Sequence, residues 1–232
     1  MSEFPNPLID ADQPQLFGGS PDEAMDSRLS NTRESVHDSG GLPDVHGLRL
    51  NLGCGRNKSE NMVNVDLAIN EPDVVLDLNN SSLKEWYVAF GKETVQYAQL
   101  IHVIEHIPNH LQMMENLWHV MEPGGVVYIR CPHGANDDAW EDPTHVRPIF
   151  PGSFMYYSQP TYWRADYGYR GDFRVAKCVC IMAVPSMVKN KNFLVYSRNA
   201  VAEMVVTLEV VKPAREPIRE NMEPLVVTMA ER

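Results

Sequence analysis

The sequence predicts an α/β fold whose core is a doubly wound, mostly parallel sheet. Short apolar strands alternate with helical patterns over residues 47–132, a glycine-rich turn follows the first strand, and later residues indicate an antiparallel hairpin. Alternation of this kind is typical of a parallel sheet that helices cover on both faces. At 232 residues the chain suits one such domain better than two.

The spacing of apolar side chains divides residues 47–132 into strands and helices. The predicted strands are Gly47–Leu52, Val63–Leu67, Asp73–Leu78, Leu100–Ile104 and Val126–Cys131. The predicted helices are Leu83–Phe90 and Asn109–Met121. The triplet Pro123-Gly124-Gly125 is predicted to end the second helix, because proline and glycine terminate helices.

Residues 133–232 have a different character. Between Phe150 and Phe173 lies an aromatic cluster, which consists of Phe154, Tyr156, Tyr157, Tyr162, Trp163, Tyr167 and Tyr169. Phe173–Val184 and Met204–Val211 then predict two strands, which we expect to pair as a C-terminal antiparallel hairpin at one edge of the sheet. Val188–Asn199 carries no pattern that assigns a structure.

Charge is concentrated in residues 1–46, which hold nine Asp/Glu against two Lys/Arg. This polar stretch is predicted to be an acidic flexible tail that cannot fold alone, followed by the folded domain at 47–232. The whole chain has a net charge of −11. Neither part has the basic surplus that binding to a phosphate backbone requires, so nucleic acid is disfavoured as a partner.

Membrane and metal partners are not expected. No apolar run approaches the roughly 20 residues of a membrane span, and no secretory leader is recognisable, so we expect a cytoplasmic protein. The four cysteines, Cys54, Cys131, Cys178 and Cys180, lack the spacing of zinc ligands and are expected to be reduced thiols.

The glycine turn Gly53-Cys54-Gly55 follows the first strand, and Asp66 ends the second. The carboxyl ends of neighbouring parallel strands share one edge of a sheet, so these residues should meet in one crevice. There Asp66 could accept hydrogen bonds from both hydroxyls of a ribose, or it could be a plain loop aspartate. A dinucleotide is disfavoured, because Lys58 occupies the third glycine position of the pyrophosphate fingerprint G-x-G-x-x-G.

Four segments in order, LNLGCGRN, VNVDL, HVIEHI and MEPGGVVYIRCP, resemble the motif series of small class I, Rossmann-like methyltransferases of bacteria and their phages. The resemblance covers residues 48–132 and extends to Trp140–Arg147, which resembles a D-P-T-H-x-R element. It implies S-adenosylmethionine as the cofactor and methyl transfer to a small molecule, glycan or protein. A phage-encoded member would be associated with the virion rather than free in the cytoplasm.

The resemblance also implies a set of cofactor-binding residues, namely Asn51, Gly53, Cys54, Gly55, Asp66, Leu67, Asp77, His102 and Glu105. Gly53 and Gly55 would lie beneath the methionine part, Asp66 would hold the ribose, and Asp77 would lie near the adenine. Two alternatives stay open. Cys54 could be a small packed side chain, and Glu105 could satisfy backbone donors at a helix start.

Methyl transfer requires alignment of the acceptor with the S–CH₃ bond, and a base only where the acceptor is protonated. His145 is the candidate base, Asp142 could orient it or bind substrate, and His106 is a further catalytic candidate or a packed imidazole. Arg147 could bind a carboxylate or phosphate of the acceptor, and Tyr157 is a second substrate-binding candidate. The alternative is a rigid loop whose charged residues are structural.

The aromatic-rich insertion at about 133–172 has two interpretations. It could be a lid over a flat or sugar-like acceptor, or it could be core packing or an intersubunit surface. Because a fold does not determine function, an alternative to catalysis is a methyltransferase-fold component of a larger phage assembly. Such a component would bind partners, or a second copy, through the acidic tail and the aromatic face. A nicotinamide oxidoreductase is a weaker third hypothesis.

Overall fold

The computed structural model describes residues 47–183 and 197–231. Its strands are β1 Leu48–Leu52, β2 Val63–Asp66, β3 Val74–Val75, β4 Val95–Ile101, β5 Met121–Pro132, β6 Phe173–Met182, β7 Val201–Val210 and β8 Val227–Glu231. Its α-helices are α1 Leu83–Phe90, α2 His110–Val120 and α3 Asp138–Glu141. The predicted acidic tail, residues 1–46, and most of Val188–Asn199 lie outside the described residues.

The strands form one sheet in the order β3-β2-β1-β4-β5-β7-β6-β8. The first five are parallel, β7 runs antiparallel between β5 and β6, and β8 is parallel to β6. This topology confirms the predicted Rossmann-like, mostly parallel sheet with a C-terminal antiparallel pair. The pair is not at the edge, however, because β8 extends the sheet beyond β6 with the register Cys178↔Val227.

Strand β3 is shorter than its apolar pattern predicts. The prediction was Asp73–Leu78, whereas pairing with β2 involves only Val74 and Val75. Leu76 and Leu78 are buried in the core instead. The chain therefore leaves the sheet after two residues, and the following turn lies at the sheet's carboxyl edge.

Strand β4 begins five residues earlier than predicted, at Val95, and ends at Ile101. The rest of the predicted strand is a sharp bend at His102 and a 3-10 turn over Ile104–His106. Ile104 is apolar because it is buried in the core, not because it continues the strand. The bend turns the polar residues of this segment toward the carboxyl edge of the sheet.

Helix α2 begins one residue after its N-cap, Asn109, whose side chain accepts a hydrogen bond from the backbone of Gln112. The helix ends at Val120, before the Pro123-Gly124-Gly125 triplet, which lies inside β5. Pairing between β4 and β5 jumps there from Val95↔Met121 to Tyr97↔Val126. The triplet is thus an irregularity within a strand, and the prediction that it ends the helix was wrong.

The aromatic cluster belongs largely to the core. Five rings on and beside the 3-10 turns Pro151–Tyr157 and Gln159–Trp163 are buried: Phe154, Tyr157, Tyr162, Tyr169 and Phe173. Tyr156 and Tyr167 are exposed. Most of these rings therefore pack inside the domain. The exposed Tyr156 and Tyr167, and in part the half-buried Trp163, are accessible to a partner or a ligand.

A buried ion pair ties the aromatic region to the segment after β7. Arg215 Nε lies 2.9 Å from Asp172 Oδ2, and its second terminal nitrogen donates to Asp172 Oδ1 at 2.9 Å. The Asp172 carboxylate is fully buried and also accepts from the backbone of Gln159.

Among the residues that the structure describes, no helix has both the length and the apolar character needed to cross a membrane.

Candidate active site

A cavity of about 300 Å³ opens at the carboxyl edge of the parallel strands. It is lined by Gly53, Asp66, Leu67, Leu76, Asp77, Leu78, Asn79, His102, Val103, His106 and Ile107. The strand order reverses between β1 and β4, and doubly wound sheets bind ligands in the crevice outside such a reversal. Residues that follow β1, β2, β3 and β4 thus meet at the place where the topology predicts a ligand.

Gly53 occupies a position that only glycine fits. Its φ is 64°, and a Cβ there would lie 2.6 Å from Val103 Cγ2. The N–H groups of Gly53 and Cys54 both donate to the carbonyl of Val65, at 2.8 and 3.1 Å. The turn is therefore fixed against β2 and passes directly beside the cavity wall.

The carboxylate of Asp66 is oriented by the backbone around it. Its Oδ2 accepts from the Gly55 N–H at 2.6 Å, and its Oδ1 accepts from the Leu67 N–H at 2.7 Å. A carboxylate has about four acceptor positions, so roughly two remain free for a ligand. Leu67 itself lines the cavity and is half exposed.

Asp77 lines the same cavity and is held by hydrogen bonds. Its Oδ2 accepts from the side chain of Asn80 at 2.7 Å, and its Oδ1 accepts from the Asn79 N–H at 2.9 Å. These hydrogen bonds, the Asn80 side chain foremost, hold the pKa of Asp77 below its usual value. The cavity is therefore lined by a second carboxylate besides Asp66.

Four of the predicted cofactor-binding residues do not line the cavity: Asn51, Cys54, Gly55 and Glu105. Asn51 is buried beneath the turn, donates to the Asn64 side chain at 3.0 Å and accepts from Gln99 at 2.9 Å. Cys54 is also buried, and burial raises the pKa of its thiol. The structure thus places Asn51 where it supports the turn, one layer away from the cavity.

His102 forms two ion-pair contacts at the bend after β4. Its Nδ1 lies 3.4 Å from Glu105 Oε1 and its Nε2 lies 3.3 Å from Glu203 Oε1. Glu105 and then Glu203 raise the pKa of His102 to about 9, against the opposing effect of burial. His102 is therefore protonated at neutral pH and places a positive charge on the cavity wall.

Glu203 and Arg130 are not among the site residues predicted from the sequence. Glu203 on β7 accepts from Arg130 Nε at 2.7 Å. Burial alone would raise the pKa of Glu203, but hydrogen bonds from His102 and Arg130 lower it to about 2. The signal in the sequence was a charged residue within each of two apolar runs, Arg130 in VVYIRC and Glu203 in VAEMVV.

Glu105 is 2% exposed, and neither of its carboxylate oxygens has a hydrogen-bond partner in the described part of the chain. Its contact with His102 is an ion pair without hydrogen-bond geometry. The side chain therefore does not serve backbone donors, as one interpretation of the sequence had it. The backbone carbonyl of Glu105 accepts a hydrogen bond from the Val146 N–H at 2.9 Å, and this bond holds the loop after α3 beside Glu105.

A hydrogen-bond chain from this loop assigns the tautomer of His106. Asp142 Oδ1 accepts from the Thr144 hydroxyl at 2.6 Å, and Thr144 Oγ1 lies 2.9 Å from His106 Nδ1. Because the carboxylate only accepts, the Thr144 hydroxyl hydrogen points to Asp142 and its oxygen accepts from His106 Nδ1–H. A neutral His106 then carries its free lone pair on Nε2.

His145 packs against His106, with ring centroids 4.7 Å apart and an interplanar angle of 65°. Its Nε2 lies 3.9 Å from Asp142 Oδ2, and its buried Nδ1 has no hydrogen-bond partner among the described residues. The structure therefore brings together His145, Asp142, His106 and Glu105 beside the cavity. Their catalytic roles remain predictions.

The two predicted substrate-binding residues lie apart from the cavity lining. Tyr157 is buried in the core, and its hydroxyl lies 3.0 Å from His110 Nδ1. Burial, with a smaller effect from the charge of Arg147, lowers the pKa of His110 to about 4. Arg147 itself is exposed, so it can reach a ligand at the surface, whereas Tyr157 can do so only through a change in packing.

Comparison with solved structures identifies the fold. A SAM-dependent methyltransferase from Archaeoglobus fulgidus matches 71% of this chain and 86% of its own, with 16% identity and a TM-score of 0.50. The described chain has the Rossmann-like methyltransferase fold. An S-adenosylmethionine-dependent methyltransferase from Mesorhizobium loti matches 72% of this chain and 93% of its own, with 11% identity and a TM-score of 0.46.

A third structure, of the [4+2]-cyclase SpnF, matches 71% of this chain and 75% of its own, with 9% identity and a TM-score of 0.45. No family model matches the chain. No curated protein matches it either.

Proposed function

We propose that this chain is an S-adenosylmethionine-dependent methyltransferase. The observation that carries the proposal is the joining of the glycine turn to Asp66 beside a cavity of about 300 Å³ at the reversal of strand order. The fold shared with the Archaeoglobus fulgidus methyltransferase supports it. A nucleoside with an amino-acid extension needs several polar groups in its site, and Asp66, Asp77 and His102 all line this cavity.

Three residues suit the parts of the cofactor. Asp66 has free acceptor positions for the two ribose hydroxyls, and Asp77 lies where an adenine amino group could donate to it. The protonated His102 suits the carboxylate of the methionine part, since an opposite charge at the cavity wall favours binding. Because Gly53 has no side chain, the methionine part of the cofactor could lie close to the backbone at this turn.

In the reaction, an electron pair of the acceptor forms the new bond to the methyl carbon. The S–CH₃ bond breaks, and its electron pair stays on sulfur, which yields S-adenosylhomocysteine. An acceptor with a hydroxyl or protonated amine must also lose a proton. Nε2 of the neutral His106, or a nitrogen of His145 beside it, can take that proton. The exposed Arg147 suits an acceptor that carries a carboxylate or phosphate.

The test of this function is product formation. The purified protein is incubated with S-adenosylmethionine and acceptors of three classes, small hydroxy acids, glycans and proteins, and both products are followed by mass spectrometry. We expect S-adenosylhomocysteine to accumulate in step with an acceptor heavier by one methyl group. Bound cofactor that stays intact with all three classes, while the protein remains folded, would favour the non-catalytic alternative.

A further inference from the structure

We propose that Glu105, His106 and His145 form a binding site for a divalent transition-metal ion. One potential ligand atom from each residue lies within 4.8 Å of the other two. Two imidazoles and one carboxylate are the donor set of many zinc and non-haem iron sites, and three protein ligands leave positions open for water or substrate. The cysteine spacing gave no hint of this site, because its ligands come from two segments some 40 residues apart in sequence.

The first support is the state of Glu105. Its carboxylate is buried, and neither oxygen has a hydrogen-bond partner within the described residues. A buried carboxylate without hydrogen bonds is costly unless a cation compensates it. His102 contacts Oε1 only at 3.4 Å and is shared with Glu203. The second oxygen, Oε2, therefore has lone pairs available to coordinate a metal ion.

The second support is the orientation of His106. The chain Asp142–Thr144–His106 holds Nδ1–H in a hydrogen bond and leaves the lone pair of Nε2 free. Metal-binding histidines are commonly fixed in this way, with the other ring nitrogen donating to an oxygen that is itself held by a carboxylate. His106 also lines the cavity, so an ion on Nε2 would lie at the cavity wall.

The third support is His145, whose ring is mostly buried and whose Nδ1 has no hydrogen-bond partner in the described ranges. The hydrogen bond from the Val146 N–H to the Glu105 carbonyl fixes the loop that carries this ring. The two rings meet edge to face, 4.7 Å between centroids, in the absence of any hydrogen bond between them. An ion between them would satisfy both rings and the carboxylate together.

A metal ion here would change the chemistry of the site. Imidazoles that bind a metal no longer accept a proton, so His106 and His145 could not act as the base in that state. An acceptor oxygen on an open coordination position would instead lose its proton to water more readily, because a bound cation lowers the pKa of a coordinated hydroxyl. Metal binding itself does not depend on the proposed cofactor, so the two can fail separately.

The experiment is metal titration of the full chain after treatment with EDTA, in the absence of S-adenosylmethionine. Calorimetry with Zn²⁺ and absorption spectroscopy with Co²⁺ report affinity and coordination geometry. We expect one ion per chain at this site, and we expect the absorption spectrum of Co²⁺ to be that of an ion with a low coordination number. Glu105→Gln and His106→Ala each alter or remove a ligand and should weaken metal binding at least about 10-fold. Thr144→Val removes no ligand but removes the hydroxyl that orients His106, and it should also weaken metal binding about 10-fold or more. His119→Ala, a histidine on α2 outside the cluster, is the matched control.

Absence of Zn²⁺ and Co²⁺ binding to the folded wild-type chain would overturn the proposal. So would affinity that is unchanged in Glu105→Gln and His106→Ala, because the ion would then be bound elsewhere. Should His106→Ala fail to fold, Glu105→Gln and Thr144→Val preserve side-chain size and still decide the question.

Discussion

The Gly55 N–H donates to Asp66 Oδ2 at 2.6 Å and so joins the turn after β1 to the carboxylate that ends β2. The same turn is bound to Val65 through two further N–H groups. The orientation of Asp66 thus depends on the glycine turn, and the turn's place depends on β2. Both would be disturbed by a side chain at Gly53, where the backbone passes Val103.

Replacing Gly53 by alanine should therefore destabilise the protein. An alanine at a positive φ costs on the order of 1–3 kcal/mol, to which the overlap with Val103 adds. Urea unfolding measures the loss. Gly152→Ala is the matched control, since a Cβ there meets nothing within 4 Å. Equal unfolding midpoints for the two variants would contradict the close approach.

His145→Ala should lower kcat and leave the affinity for S-adenosylhomocysteine nearly unchanged, because the ring lies beside His106 and is not part of the cavity wall. The loss expected from removing a base is about 10²–10⁴-fold. Arg147→Ala should mainly raise the KM of the acceptor. Rates and calorimetry on the same preparations separate these effects. A fall in activity only in proportion to lost thermal stability would show that the loop is purely structural.

The free energy of unfolding should decrease as the pH falls, because His110 titrates. Its pKa is about 4 in the folded protein, lowered first by burial and then by Arg147, against a smaller opposing effect of Glu105. An unfolded chain has the ordinary value of about 6.5, so it binds more protons between these limits. The stabilisation is complete above pH 6.5 and is lost as the pH falls toward 4, by about 3 kcal/mol.

Chemical unfolding at several pH values measures this loss. The His110→Gln variant keeps a polar group beside the Tyr157 hydroxyl but does not titrate, so its stability should depend less steeply on pH over the same interval. The difference between the two curves isolates His110 from the carboxylates that titrate nearby. Parallel curves would mean that His110 is accessible to protons in the folded state.

The buried pair of Asp172 and Arg215 should be needed for stability. Loss of the fully buried Asp172 carboxylate leaves the Arg215 guanidinium, which is only 19% exposed, and the Gln159 N–H without this acceptor. Breaking a buried pair costs about 3–5 kcal/mol. Asp172→Ala should therefore lower the unfolding midpoint strongly. Asp166→Ala is the control, because Asp166 pairs with Arg170 at the surface and exposed pairs contribute little. Similar midpoints for the two variants would contradict the account of how the aromatic region is attached.

Local patterns were sufficient for the parts of the site that follow strands. The turn at Gly53 and Gly55 and the nearby carboxylate of Asp66 follow from strand order, because the carboxyl ends of neighbouring parallel strands share one edge. The contacts that local patterns could not predict join distant segments. Arg130 and Glu203 are 73 residues apart, and no periodicity encodes which charged side chain on β7 faces which on β5.

The turn in β5 and the strand β8 were missed for a different reason. Pro123-Gly124-Gly125 has the composition of a helix terminus, and only its place in the register of β4 and β5 shows that it is a bulge. Strand β8 is five residues long and, within the described ranges, pairs only with β6. So short a segment carries too little alternation to stand out from the loops around it.

The central claim is tested most directly by calorimetric titration of the protein with S-adenosylhomocysteine. We predict binding of one molecule per chain, weakened at least about 10-fold in Asp66→Ala because two ribose hydroxyls lose a charged acceptor. The surface variant Asp166→Ala should bind like the wild type. A folded wild-type protein without measurable affinity for S-adenosylhomocysteine or S-adenosylmethionine, or equal affinities of the two variants, would contradict the assignment of the cavity.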